Sequence, residues 1–196
     1  MIRRLAAILL VLTLASCDAP PRSYTDALRM MSNGEYRIAA DNLRPLAENG
    51  YAPAQFRLGL LYLYGKGVRH EPRQAAHWLL KAAQQDDVGG QYVLAQLYRH
   101  GLGVSQNDTL AFRWLQKLAE RGYAPAQYEV GLCYAQGRGV AQNNALALEW
   151  LRKAADREHA QAIAQLVAAY RQGSLGLHPD AEMALFWQRK TRPKPF

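Results

Sequence analysis

Residues 52–68 read Ala-Pro-Ala-Gln-Phe-Arg-Leu-Gly-Leu-Leu-Tyr-Leu-Tyr-Gly-Lys-Gly-Val, and residues 124–140 read Ala-Pro-Ala-Gln-Tyr-Glu-Val-Gly-Leu-Cys-Tyr-Ala-Gln-Gly-Arg-Gly-Val. Outward from these two stretches, the same columns recur every 36 residues. Tyr62, Tyr98, Tyr134 and Tyr170 form one column, and Trp78, Trp114 and Trp150 another. The pairs Gly65/Gly67, Gly101/Gly103 and Gly137/Gly139 form a third. A fixed period of this length marks stacked helical hairpins, whose neighbours bury a continuous core that no hairpin buries alone. Such surfaces hold other molecules more often than they house chemistry.

Each unit contains two amphipathic stretches. Leu58, Leu61 and Tyr62 fall at three- and four-residue spacing on one helical face. Gly59, Ala95 and Gly131 share that face, where a small side chain admits a neighbouring helix. Gly-x-Gly-Val then ends the first helix, one glycine supplying a left-handed C-cap and the second turning the chain back. Asn107/Asp108 and Asn143/Asn144 offer N-caps for the second helix, and Pro72 and Pro179 stand near its start. That helix is expected to bury Ala75, Trp78, Leu79 and Ala82, and later Ala147, Trp150, Leu151 and Ala154. An extra residue between Gly173 and Gly176 shifts the last tryptophan to Trp187.

The composite motif Ala-x-Ala-Gln-x-x-Leu-Gly-x-x-Tyr-x-x-Gly-x-Gly-Val, followed by Ala-x-x-Trp-x-x-Lys-Ala-Ala, resembles the Sel1-like repeat, a relative of the tetratricopeptide repeat. The resemblance implies an all-α, right-handed α/α solenoid. Its units are expected at residues 52–87, 88–123 and 124–159, with a divergent fourth at 160–191 carrying Ile163 and Val167 in the glutamine and glycine columns. Residues 24–51 read as a degenerate hairpin turning at Asn33-Gly34, and residues 192–196 as a basic tail.

Residues 1–16 carry Arg3-Arg4 and an apolar run from Leu5 to Leu14, a secretory signal too short to span a bilayer. Leu14-Ala15-Ser16-Cys17 resembles the bacterial lipobox, which implies acylation of Cys17 and a lipid-bearing tether at residues 17–23. Each buried CH₂ of an acyl chain adds roughly 0.8 kcal/mol of anchoring. The expected location is the cell envelope, facing the periplasm; Asp18 favours the inner membrane, with the outer membrane as the alternative. Removal of the signal leaves 22 basic against 16 acidic residues. The basic residues are spread through the repeats without a tract, and the periplasm holds no nucleic acid to meet them.

Chemistry has little footing. Five histidines lack metal-ligand spacing, and there is no Gly-x-Ser-x-Gly. Cys133 stands in the column of Leu61, Leu97 and Ala169 and reads as a buried apolar residue. The β-lactamase-like members of the family carry a cysteine pair in each repeat, absent here. The chain therefore reads as no enzyme, with no cofactor and no metal.

Function then falls on side chains that vary beside the tyrosines. The resemblance implies that the first helix of each repeat lines the concave side. Phe56, Arg57, Tyr64, Tyr92, Arg99, His100, Tyr128, Glu129 and Gln136 are the candidate partner-binding residues, since aromatics and arginines are enriched at interface hot spots. Charge reversal at Arg57 and Arg99 is expected to weaken binding without changing stability. The column Lys81, Lys117, Lys153 and Lys190 reads as solvated, or else as a basic stripe for an acidic partner or anionic lipid. The expected function is a lipid-anchored scaffold for a protein partner in an envelope or secretion complex. The alternative is an immunity lipoprotein that neutralises a secreted phospholipase effector.

Overall fold

The computed structural model describes residues 20–190. The signal at 1–16, Cys17 and the tail at 192–196 lie outside them. Ten helices follow one another in the described residues: α1 (Arg22–Ser32), α2 (Tyr36–Glu48), α3 (Ala52–Tyr64), α4 (Pro72–Gln84), α5 (Val88–His100), α6 (Asp108–Glu120), α7 (Ala124–Gln136), α8 (Asn144–Asp156), α9 (Ala160–Gln172) and α10 (Ala181–Arg189). Each packs on the next, giving the right-handed α/α solenoid of helical hairpins. The odd-numbered helices from α3 onward are the A helices of their hairpins, and the even-numbered ones the B helices. Arg22 and Ser23, expected in the tether, already belong to α1. Among the described residues no helix is long and apolar enough to cross a membrane.

The caps follow the sequence. Each A helix of the four repeats ends on a left-handed glycine, Gly65, Gly101, Gly137 or Gly173. The side chains of Asn107 and Asn143 accept hydrogen bonds from the backbone N–H of Leu110 (2.9 Å) and Leu146 (3.0 Å) at the starts of α6 and α8. The second loop glycine does more than turn the chain. A Cβ on Gly103 would fall on the backbone of Pro72, the first residue of the preceding B helix, and Gly67 and Gly139 meet Tyr36 and Asp108 in the same way. This column is where successive hairpins dock backbone to backbone. In the divergent fourth repeat the nearest atom to such a Cβ on Gly176 is Nδ2 of Asn144, 3.9 Å away, and the close approach is gone.

Fully buried leucines run down the axis, among them Leu58, Leu79, Leu94, Leu115, Leu151 and Leu166. Each contributes roughly 2 kcal/mol over an exposed side chain. A Cβ on Gly59 would lie 2.8 Å from Cγ of Leu79, so a small residue is needed there, whereas repeat two accommodates the methyl of Ala95.

Trp78 and Trp187 are buried, whereas Trp114 and Trp150 are only half-buried. The ammoniums of Lys81, Lys117, Lys153 and Lys190 lie 4.8, 5.9, 4.2 and 4.5 Å from the ring centroids of the tryptophans three residues before them. The lysine column is thus part of the ladder, its stems and charges drawn onto the rings.

The glutamine column has a structural task that sequence reasoning left unassigned. Gln55, Gln91 and Gln127 are buried and donate through Nε2 to the carbonyls of Ala47 (2.9 Å), Ala83 (3.1 Å) and Ala119 (3.1 Å). Those carbonyls lie in the last turn of the preceding B helix, where each already accepts the backbone N–H three residues on, of Gly50, Asp86 or Gly122, and the glutamine supplies a second donor. Ile163 takes the same column in repeat four and cannot donate.

Candidate partner-binding surface on the A-helix face

Successive A helices face one another through side chains 30 residues apart. Between α3 and α5 the facing pair is Leu63 and Val93; between α5 and α7 it is Arg99 and Glu129. The backbone is the same at both junctions, and the chemistry is opposite.

At the first junction the apolar pair floors a cleft of about 450 Å³. Leu97 lies beneath, Tyr92 and Gln96 flank it, and Tyr64 and Leu102 rise from the walls at 66% and 47% exposed. His70 and Pro72 complete its lining. A second depression, lined by Arg69, Glu71, Arg73 and Gly103, shares both of those residues, so the apolar cleft opens directly onto a basic rim. Tyr64 and Leu102 are apolar residues left in water beside an unfilled concavity, the usual mark of a docking surface.

At the second junction the cleft is closed. Arg99 donates to Glu129 at 2.8 Å, with side chains only 13% and 16% exposed. Burial, the largest single influence, disfavours the Arg99 cation, but the hydrogen bond to Glu129 and that carboxylate's charge, with smaller contributions from Cys133 and Tyr92, together outweigh it and the pKa rises. Burial and the Glu129 carboxylate together hold the Tyr92 phenol above its usual range, and burial does the same for the Cys133 thiol. Arg99 and Glu129 therefore answer each other, and charge reversal at Arg99 would unpair a half-buried carboxylate. The expectation that it leaves stability unchanged does not hold.

The other candidates divide. Tyr64 and Tyr92 are brought together in the cleft. The tip of the Phe56 ring lies against Gly89, where a Cβ would meet Cζ at 2.6 Å, and the Arg57 guanidinium sits 5.8 Å from the same ring. Tyr92 meets Tyr123 edge-on at 5.8 Å, and Tyr128 lies over His159 at 5.0 Å. The aromatic column thus links each A helix to the start of the next as well as facing outward. Gln136 accepts from Arg138 at 2.6 Å, and His100 is exposed at the end of α5. Leu102 and His70 were missed. Leu102 was findable, since the middle residue of Gly-x-Gly is Lys66 and Arg138 in the flanking repeats and apolar only here.

No group of three or more His, Cys, Asp and Glu among the described residues could hold a metal ion. The family model of the Sel1 repeat matches residues 52–87, 88–123, 124–159 and 162–190. Among solved structures, a Sel1 repeat protein from Oxalobacter formigenes is 30% identical with a TM-score of 0.78, the match covering 86% of this chain and 69% of that one. The protective antigen c5321 of uropathogenic Escherichia coli, described as displaying an SLR fold, is 29% identical with a TM-score of 0.80. That match covers 86% of this chain and 37% of the antigen. A putative Sel1 repeat protein from Klebsiella pneumoniae subsp. pneumoniae shares the fold at 23% identity, with a TM-score of 0.52 and coverage of 86% and 84%. The curated proteins offer no match.

Proposed function

The chain belongs to the Sel1 repeat family, and from that premise we propose that it is a non-catalytic, lipid-anchored scaffold of the bacterial cell envelope that holds a protein partner in the cleft between its first two repeats. One observation carries the reading: Tyr64 and Leu102 stand exposed over an apolar floor of Leu63, Val93 and Leu97, at a junction whose neighbour is sealed by Arg99 and Glu129. An apolar anchor from the partner fills the floor, and acidic residues beside it meet Arg69, Arg73 and His70. Cys17, acylated, keeps this surface close to the membrane that carries the partner.

Photo-crosslinking tests the reading. A photoreactive residue at position 64 or 102 in the full chain should capture one predominant envelope protein that a probe at Phe186, exposed at the far end of the solenoid, does not. Equal capture from both positions, or none from the cleft, defeats it. Capture of a secreted phospholipase effector would point to toxin immunity as the purpose of the same surface. Retention in the detergent phase, lost on Cys17→Ala, checks the anchor.

A further inference from the structure

The edge of the solenoid opposite the cleft, where B helices end and the next A helices begin, has its own internal standard. Between α4 and α6 it is closed by Asp86, whose carboxylate takes the Lys117 ammonium at 2.6 Å and a hydrogen bond from Nε2 of Gln91 at 3.0 Å. Lys117 holds that carboxyl below its usual range. One repeat later the column of Asp86 is occupied by Gly122, and the column of Lys117 by Lys153. No carboxylate crosses this junction to Lys153, which turns instead to Glu149 on its own helix at 2.6 Å.

The result is a cleft of about 880 Å³ between the ends of α6 and α8. Arg121, Lys153 and Arg157 line it together with the half-buried Trp150. Its two acidic residues are Glu120 and Asp156, and Asp156 is already held by Lys190 at 2.5 Å. Arg157 has no salt bridge among the described residues, and its guanidinium lies against Gly122. Gln127, 4% exposed, lines the cleft; its Nε2 has only the Ala119 carbonyl, while Oε1 is without a partner in Gln127 and Gln91 alike among the described residues. The counterpart Gln91 has the Asp86 carboxylate in addition.

We infer that this cleft is a second binding site, and that an acidic side chain of a protein partner occupies the position that Asp86 fills one repeat earlier. The carboxylate lies between Lys153, Arg157 and the Gln127 amide, with Trp150 as the wall. The occupant is a carboxylate because the molecule's own filled copy of the site holds one, at a distance of direct ion pairing. The site is separate from the proposed partner cleft and stands or falls without it.

NMR of the full chain in detergent tests this, following the Trp150 indole N–H and the Gly122 amide. The probes are acetylated tetra-aspartate, its tetra-asparagine counterpart, inorganic phosphate and phosphatidylglycerol vesicles. Tetra-aspartate should move both signals saturably and tetra-asparagine should not. Arg157→Ala should weaken binding about five-fold. Gly122→Asp should abolish it by filling the site from within: Asp86 adopts a left-handed φ of 64° in this column, against 86° at Gly122, and the Arg157 guanidinium, 2.8 Å from a Cβ there, shifts to meet the new carboxylate. The inference is overturned if tetra-aspartate leaves these signals unmoved, if its binding ignores both substitutions, or if phosphate or vesicles occupy the site more tightly than the peptide.

Discussion

The junction between repeats one and two and the junction between repeats two and three share a backbone and exchange their open sides. The first is open on the A-helix face, where Leu63 and Val93 leave a cleft, and closed on the opposite edge by Asp86 and Lys117. The second is sealed on the A-helix face by Arg99 and Glu129 and open on the opposite edge at Gly122. The 36-residue period fixes where a cleft can form, and single residues in facing columns decide whether it is filled from within or left for a partner. In a solenoid the specificity is therefore written in departures from the repeat.

The largest effect separates the repeats that dock backbone to backbone from the one that does not. Gly103→Ala places a methyl on the Pro72 backbone at a left-handed φ of 73° and should cost about 3 kcal/mol in chemical denaturation. Gly176→Ala has open space and carries only the backbone strain, about 1 kcal/mol. Equal losses would mean that the second glycine is only a turn residue.

Next comes the sealed junction. Glu129→Ala unpairs a guanidinium that is mostly out of water and should cost about 2 kcal/mol, less than a fully buried pair because both side chains keep some solvent. The double change Arg99→Leu with Glu129→Val transplants the facing pair of the open junction and should recover most of that loss. Failure to recover would show that the two junctions differ in more than these columns.

A smaller change concerns Glu158, which sits at φ 60° in the column held by Gly50 and Gly122. Glu158→Gly should stabilise by about 0.5–1 kcal/mol, since glycine reaches that conformation without strain. The smallest effect is in pH. Burial lowers the His159 pKa, and Nδ1 accepts the backbone N–H of Ala162 at the start of α9. The unfolded chain therefore binds the proton more readily, so this contribution is present above the ordinary histidine pKa and fades as pH falls through it. Melting followed between neutral pH and pH 5 should fall less for His159→Asn, which caps without titrating. Parallel curves would remove the histidine from the account.

The fold was legible because hydrophobic spacing, capping residues and glycines all repeat in phase, and each implies the same hairpin. Tyr64 was legible as a variable residue beside a structural column, and Tyr92 as one of the aromatic column Phe56, Tyr92 and Tyr128. Arg99 and Glu129 were read separately and not as a pair, because the 30-residue offset that brings them together comes from how A helices stack and not from the repeat step. The lysine column read as a snorkelling, solvated position, and Lys117, Lys153 and Lys190 are exposed; the reading did not include that each ammonium lies over the tryptophan ring three residues before it.

The most direct test is the affinity of the crosslinked partner for the full chain and for Leu102→Asp, measured beside the melting temperature of each. The account predicts that a charge on the wall of the apolar cleft weakens binding at least about ten-fold, or roughly 1.4 kcal/mol, with melting unchanged. Undiminished binding to Leu102→Asp would contradict it and place the partner elsewhere on the solenoid.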